Sequence, residues 1–224
     1  MARSWSQGVQ EGYGPPVARG SRRAGPWAAA VLMLAGLLGV LVIWGGFTYN
    51  RLVGLDQSVR AQWGQVENVY QRRLDLIPNL VETVKGAAAF ERDTFSQVAQ
   101  ARAQAGQLTG QATPDIVNDA QALERFQQAQ QQLGSALSRL MVVVERYPEL
   151  RATESFRTLQ AQLEGSENRI AVERMRYNEA AQAFNTARSR FPAVLVASLF
   201  GNRFAEKAYF QAQPGAQEAP KVRF

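Results

Sequence analysis

Residues 27–49 read WAAAVLMLAGLLGVLVIWGGFTY, twenty-three positions without a charged side chain. A helix crosses the hydrocarbon core of a bilayer with about twenty apolar residues, so this run is long enough to span. Trp27 stands at one end and Trp44 and Tyr49 at the other, and aromatic rings of this kind settle at the headgroup level. Those three residues are the expected membrane-interface positions. A core helix of a soluble protein seldom stays apolar on every face for this long. A cleaved signal peptide has a shorter apolar region, about 7–15 residues, and a small-residue cleavage site. Trp44-Gly45-Gly46-Phe47-Thr48-Tyr49-Asn50 offers no good one, and Arg22-Arg23 is followed by Ala24-Gly25-Pro26 where a twin-arginine signal turns hydrophobic. The run reads as an uncleaved transmembrane anchor.

On its N-terminal side, residues 1–26 are rich in Gly and Pro and poor in apolar side chains, a composition that does not build a core. They are expected to be a flexible basic tail. Past the anchor the pattern becomes helical. Leu52, Leu55, Val59, Trp63, Val66, Tyr70, Leu74 and Ile77 recur every 3.57 residues on average, against the 3.6 of an α-helix. Pro78 interrupts this stripe, and an interior proline removes a hydrogen bond and crowds the preceding turn. Apolar positions resume at Val81, Val84, Phe95 and Val98, soften through Gly106 and Gly110 to Thr113-Pro114-Asp115, and recur from Ile116 to Tyr147 and from Phe156 to Phe184. No strand alternation survives, so the chain is expected to be all-α.

If Pro78 marks a turn, capped by Asp75, the helical segments after the anchor run about 28, 29, 34 and 41 residues and can pack side by side. If it only kinks, they run about 56, 34 and 41 and match poorly. The expectation is therefore an N-terminal transmembrane helix, 27–49, followed by an antiparallel, up-and-down four-helix bundle over 50–191. Residues 192–224 remain as a short apolar membrane-proximal segment and a flexible C-terminal tail. Within them, Phe191–Gly201 is charge-free but too short to span. With Arg203, Lys207, Tyr209 and Phe210 behind it, it suits either an interfacial helix or a lid on the open end of the bundle.

Charge and composition narrow the function classes. The net charge is +6, with +3 in residues 1–50, +1 in 51–202 and +2 in 203–224. The body is nearly neutral, so no basic stripe for nucleic acid is implied. Arg19, Arg22 and Arg23 before the anchor outnumber Arg51 and Arg60 after it, which points the N-terminus to the cytoplasm. The expected location is the inner (plasma) membrane, single-pass, with the bundle periplasmic or extracellular. The chain has no Cys and no His, which removes disulfides, thiol chemistry, usual zinc ligand sets and histidine catalysis.

Several strings resemble the LemA family of bacterial membrane proteins: Tyr49-Asn50-Arg51-Leu52-Val53, Arg72-Arg73-Leu74-Asp75-Leu76-Ile77-Pro78-Asn79-Leu80, Leu137-Ser138-Arg139-Leu140, Tyr147-Pro148-Glu149-Leu150, Leu163-Glu164-Gly165-Ser166-Glu167-Asn168-Arg169-Ile170, Tyr177-Asn178 and Phe191-Pro192. The resemblance covers roughly residues 45–210. It implies an N-terminal anchor on an antiparallel helical bundle and brings no agreed biochemical activity. Many members carry a histidine near Phe90-Glu91, and this chain has none.

Two constellations stand out as candidate structural or interaction positions. Arg72, Arg73, Asp75, Asn79 and Glu82 crowd around Pro78 and read either as a recognition surface at a turn or as groups satisfying helix ends. In Glu164-Gly165-Ser166-Glu167-Asn168-Arg169 the apolar stripe lapses for one turn. The plainer reading there is close packing, with Gly165 and Ser166 admitting a bulky neighbour and Glu167 paired with an arginine. The sharper reading is a divalent-metal site, for which carboxylates alone are weak ligands beside the Glu-x-x-His pairs of di-iron bundles. The chain is thus expected to be a non-enzymatic scaffold, without cofactor, metal or catalytic residue. Its expected partners are the lipid bilayer, a membrane or envelope protein and, through the small pair Ala35 and Gly39, a second copy. A membrane enzyme using bundle carboxylates and a membrane-shaping protein are the alternatives.

Overall fold

The computed structural model describes residues 26–86, 91–112 and 114–211. The tail at 1–25, Phe90, Thr113 and residues 212–224 lie outside them. Every regular element among the described residues is helical, as the hydrophobic spacing requires. The chain divides into two compact units, Met1–Ile43 and Trp44–Phe224. Helix α1 (Pro26–Lys85) contributes to both. In the first unit its large apolar side chains are exposed on all faces, from Val31 and Leu32 to Val42 and Ile43. This helix is long and apolar enough to cross a membrane.

In the second unit the stripe read from the sequence is the core face. Leu52, Val59, Trp63, Val66, Tyr70, Leu74 and Ile77 are buried. Each fully buried large side chain contributes about 1.5–3 kcal/mol. Pro78, however, is no turn: α1 continues through it to Lys85. Two features explain the difference. Burial passes from Ile77 to Leu80 and Val84, steps of three and four that keep the helical phase. The carbonyl deprived of its donor by Pro78 belongs to Leu74, and Arg102 Nε donates to it at 3.1 Å. A side chain from the next helix thus meets the acceptor that proline orphans.

The remaining helices are α2 (Arg92–Gln111), α3 (Ala120–Val144), a short α4 (Pro148–Ala152), α5 (Glu154–Ser189) and α6 (Ala193–Leu199). Helix α2 runs unbroken through Gly106 and Gly110, where the apolar pattern softens, and a 3₁₀ turn at Pro114–Asn118 follows. The carboxylate of Asp119 caps α3, accepting from the N–H groups of Gln121 and Ala122 at 2.9 and 3.0 Å. Thr153 caps α5 by accepting from the Phe156 N–H at 3.3 Å. Each cap satisfies donors that a helix start leaves unpaired. Helices α2 and α3 pack together, with the small buried residues Ala105 and Ala136 in one core cluster.

Two hydrophobic clusters form the interior. One joins Leu52–Tyr70 of α1 and Ala112 after α2 to Leu123 and Phe126 of α3, Ile170–Ala187 of α5, and Phe204 and Phe210. The other joins Leu74–Val84 of α1, Phe95–Ala105 of α2, Leu133–Val144 of α3, and Phe156 and Leu163 of α5. Residues 205–211, expected to belong to an interfacial helix and a flexible tail, instead run without helix against α5, with Lys207 and Phe210 buried.

Candidate functional site

The expected positions around Pro78 part company in the fold. Arg72, Asp75, Asn79 and Glu82 are exposed on α1. Asp75 caps nothing; it accepts from Gln71 Nε2 one turn earlier at 2.8 Å. The Asn79 carbonyl accepts from Thr83 Oγ1 at 2.8 Å, and Glu82 pairs with Lys85 at 3.0 Å. Arg73 turns the other way and is only 5% exposed. Its Nε lies 2.8 Å from Oε1 of Glu167 on α5, without the alignment of a hydrogen bond. Burial pushes the Arg73 guanidinium below its ordinary pKa, with Glu167 and Tyr70 opposing the shift.

Arg73 and Glu167 meet in a groove of about 670 Å³ whose walls are α3 and α5 and whose floor is α1. Glutamine and serine dominate the polar lining: Gln127, Gln130, Gln131, Ser135, Ser138 and Gln160. Leu137, Met141, Leu163 and Ile170 supply apolar surface. Gln130 is 4% exposed; its amide nitrogen donates to Thr109 Oγ1 at 3.3 Å, while its Oε1 has no hydrogen-bond partner among the described residues. An unpaired buried acceptor costs about 1–3 kcal/mol. Gly134 leaves room for the guanidinium, because a Cβ there would come within 3.3 Å of Arg73 Nη2.

Glu164 and Glu167 both border the groove, and Glu164 accepts from Gln160 at 3.0 Å. Asn168 and Arg169 are exposed outside it. The expected close packing at Gly165 is absent, since a Cβ there would meet open space. Ser166 is buried and donates back to the Gln162 carbonyl at 2.9 Å. Within the lapse, Glu164 and Glu167 border the groove while Ser166 keeps a buried position. No group of three or more potential metal ligands occurs among the described residues.

A second polar assembly escaped the sequence reading. The side-chain amide of Asn185 receives the Lys207 N–H at 2.8 Å and donates to its carbonyl at 2.9 Å. Asn178 treats Phe210 in the same way, at 2.9 and 3.0 Å. Seven residues of helix rise about 10.5 Å, and three residues of extended chain cover about 10 Å, so the two amides match the segment in register. Arg188 donates to the Phe204 carbonyl, Tyr177 to that of Ala208 and Arg174 to that of Gln211. Residues 204–211 form a strap held through its backbone. Lys207, expected at a membrane interface, is buried and pairs with Asp56 of α1. It also donates to Asn118 at 2.7 Å and lies over the Phe184 ring. Burial lowers its pKa, against the pull of Asp56. Two asparagines seven apart beside Tyr177 were the visible signal, but nothing local names the strap as their target.

Gln211 brings the strap to the groove. The N–H of Gln211 donates to Gln127 Oε1 at 3.3 Å and its carbonyl accepts from Arg174, and both partners line that groove. Helix α5 thus holds an extended segment of this chain through that segment's backbone.

The sequence is similar to those of three magnetosome proteins. The chain is 29% identical over 210 residues to two proteins of Paramagnetospirillum magneticum, Magnetosome protein MamQ 1 and Magnetosome protein MamQ 2, covering 86% of this chain and 76% of each relative. It is 28% identical over 201 residues to Magnetosome protein MamQ of Magnetospirillum gryphiswaldense, covering 84% of this chain and 72% of that relative. The LemA family pattern matches residues 62–224, from Gln62 in the Trp63 turn of α1 onward. That span takes in the groove, the amide clamps and the strap, and the chain belongs to the LemA family.

Proposed function

We propose that this protein is a single-pass membrane protein whose helices after the anchor form an antiparallel four-helix bundle. In this reading the bundle is a non-enzymatic interaction module that receives a partner polypeptide in the groove between α3 and α5. The membrane reading rests on the exposed apolar helix. The antiparallel reading rests on the two clusters: early α1 meets late α5, and late α1 meets early α5. Helix α1 ends at Lys85 and α2 begins at Arg92, so the four helices of this reading have other limits than those expected from a turn at Pro78. The arginine bias around the anchor favours a cytoplasmic N-terminus at the inner membrane, with the bundle outside.

One observation carries the binding role. Arg73 on the floor and Gln130 on the α3 wall are both more than nine-tenths buried, and each keeps a polar atom without a hydrogen-bond partner among the described residues. A donor or acceptor left this way is satisfied when a ligand supplies the complement. A peptide backbone offers both kinds of group, and α5 already grips the strap through such groups. The magnetosome relatives' names carry no activity to transfer. The test is in-cell photo-crosslinking from Gln131 and Ser138, compared with the exposed position Gln182 on α5. A discrete adduct from the groove positions, lost in a Gln130→Leu variant that still folds, supports the reading. Adducts from Gln182 alone would sink it.

A further inference from the structure

The short helix α6 is built inside out for a helix facing water. Its inward side is small, with Ala197 buried at 4% exposure. Its outward side carries Leu195 at 58% and Leu199 at 81%, continued by Phe191 at 80% exposure. Val194 and Phe200 extend the same exposed patch. Single exposed leucines are ordinary, but a contiguous patch of large apolar side chains marks an interaction surface.

Its position says what covers it. The ring of Tyr49 lies 4.8 Å from Phe200 and 5.4 Å from Phe204. A hollow beside the start of α6 is lined by Trp44, Thr48 and Arg51 together with Phe191, Pro192 and Ala193. Trp44, Thr48 and Tyr49 belong to the last turns of the charge-free run. The patch therefore stands level with the point where that run ends. Exposed Arg51, Arg190 and Arg203 flank it, a pattern suited to anionic headgroups. A second copy laid face to face on the patch would bring these arginines towards their own counterparts, which disfavours that occupant.

We propose that the outward face of α6 rests in the interfacial layer of an anionic bilayer, giving the protein a second lipid contact beside its anchor. At seven residues, α6 rises about 10 Å, which permits lying in the interface and excludes spanning. The proposal rests on the reading that residues 27–49 cross the membrane, and the experiment separates the two. The chain has no cysteine, so Leu195→Cys, Leu199→Cys, Leu38→Cys and Gln128→Cys each accept one fluorescent label. The full-length protein is placed in nanodiscs of phosphatidylethanolamine and phosphatidylglycerol, with and without acyl-chain nitroxide quenchers. Loss of emission at positions 38, 195 and 199, with position 128 unchanged, is the expected result. Loss at 38 alone overturns the proposal while leaving the anchor intact. Label-to-label coupling between copies at 195 or 199, without lipid quenching, overturns it in favour of a self-interface. No quenching at 38 removes the anchor reading and this one with it.

Discussion

Tyr177 of α5 and Lys207 of the strap itself both fasten the strap to the helices, and their pKa values shift in opposite directions. The Tyr177 hydroxyl is buried and donates to the Ala208 carbonyl at 2.9 Å. Burial, reinforced by nearby Tyr209, raises its pKa above the usual value of 10.0. Above about pH 10 the unfolded phenol loses its proton while the folded one keeps it, so this group's contribution to stability is lost as pH rises. The lowered pKa of Lys207 acts the other way: below its ordinary value the unfolded chain binds the extra proton, and stability rises with pH there. Comparing Tyr177→Phe with the parent isolates the phenol. The variant should lose about 0.5–1.5 kcal/mol at neutral pH with its hydrogen bond. Its urea midpoint should then fall less than the parent's between about pH 8 and pH 11. Equal falls in both proteins would refute the assignment. Tyr177 was expected on the core face from its spacing, whereas Lys207 was assigned to a lipid surface. A lysine among aromatics has one reading near a bilayer and another beside a buried carboxylate, and Asp56 is 151 positions away.

Helix α1 and the strap show how neighbours decide what a segment becomes. Pro78 forfeits the bond to the Leu74 carbonyl, and the Arg102 guanidinium replaces it. If that exchange keeps α1 continuous, the two residues must be energetically coupled. Arg102→Met should cost about 1–3 kcal/mol in the parent, because the buried carbonyl is then unmet. A Pro78→Ala background restores a backbone N–H that can donate to the Leu74 carbonyl, and there the same change should be close to neutral. Chemical denaturation of the four proteins in this cycle measures the coupling, and equal costs in both backgrounds would exclude it. The unbroken phase of Ile77, Leu80 and Val84 was legible in the sequence beforehand. Arg102 was not, since an arginine 24 positions on resembles any solvated charge on α2.

Above the single helix, the two core clusters share α1, α3 and α5. Damage in one cluster should therefore be felt in the other. Leu133 is fully buried in the cluster around Leu74 and Leu140, and truncating it to alanine should cost about 2–5 kcal/mol. Trp63 reports on the other cluster, packed edge-on against Phe126 at 5.4 Å and Tyr177 at 5.9 Å. In a chain where Trp63 is the sole tryptophan, its fluorescence midpoint should shift as far as the helical circular-dichroism signal. A Trp63 midpoint that stays put while the helical signal moves would mean two independently unfolding halves.

Periodicity and composition were enough to read an all-helical chain, its apolar span and most of its core face. Those properties follow from the spacing of apolar side chains along one helix, which needs no knowledge of what lies opposite. Leu52, Val59, Trp63, Val66, Tyr70, Leu74 and Ile77 were buried as that spacing requires. The groove, the strap and the passage of α1 through Pro78 depend on pairs remote in sequence: Arg73 with Glu167, Asn185 with Lys207, Leu74 with Arg102. Polar side chains carry no periodic signature of their partners. Hydrogen bonds and ion pairs need alignment within a few ångströms, and only the packed helices supply it.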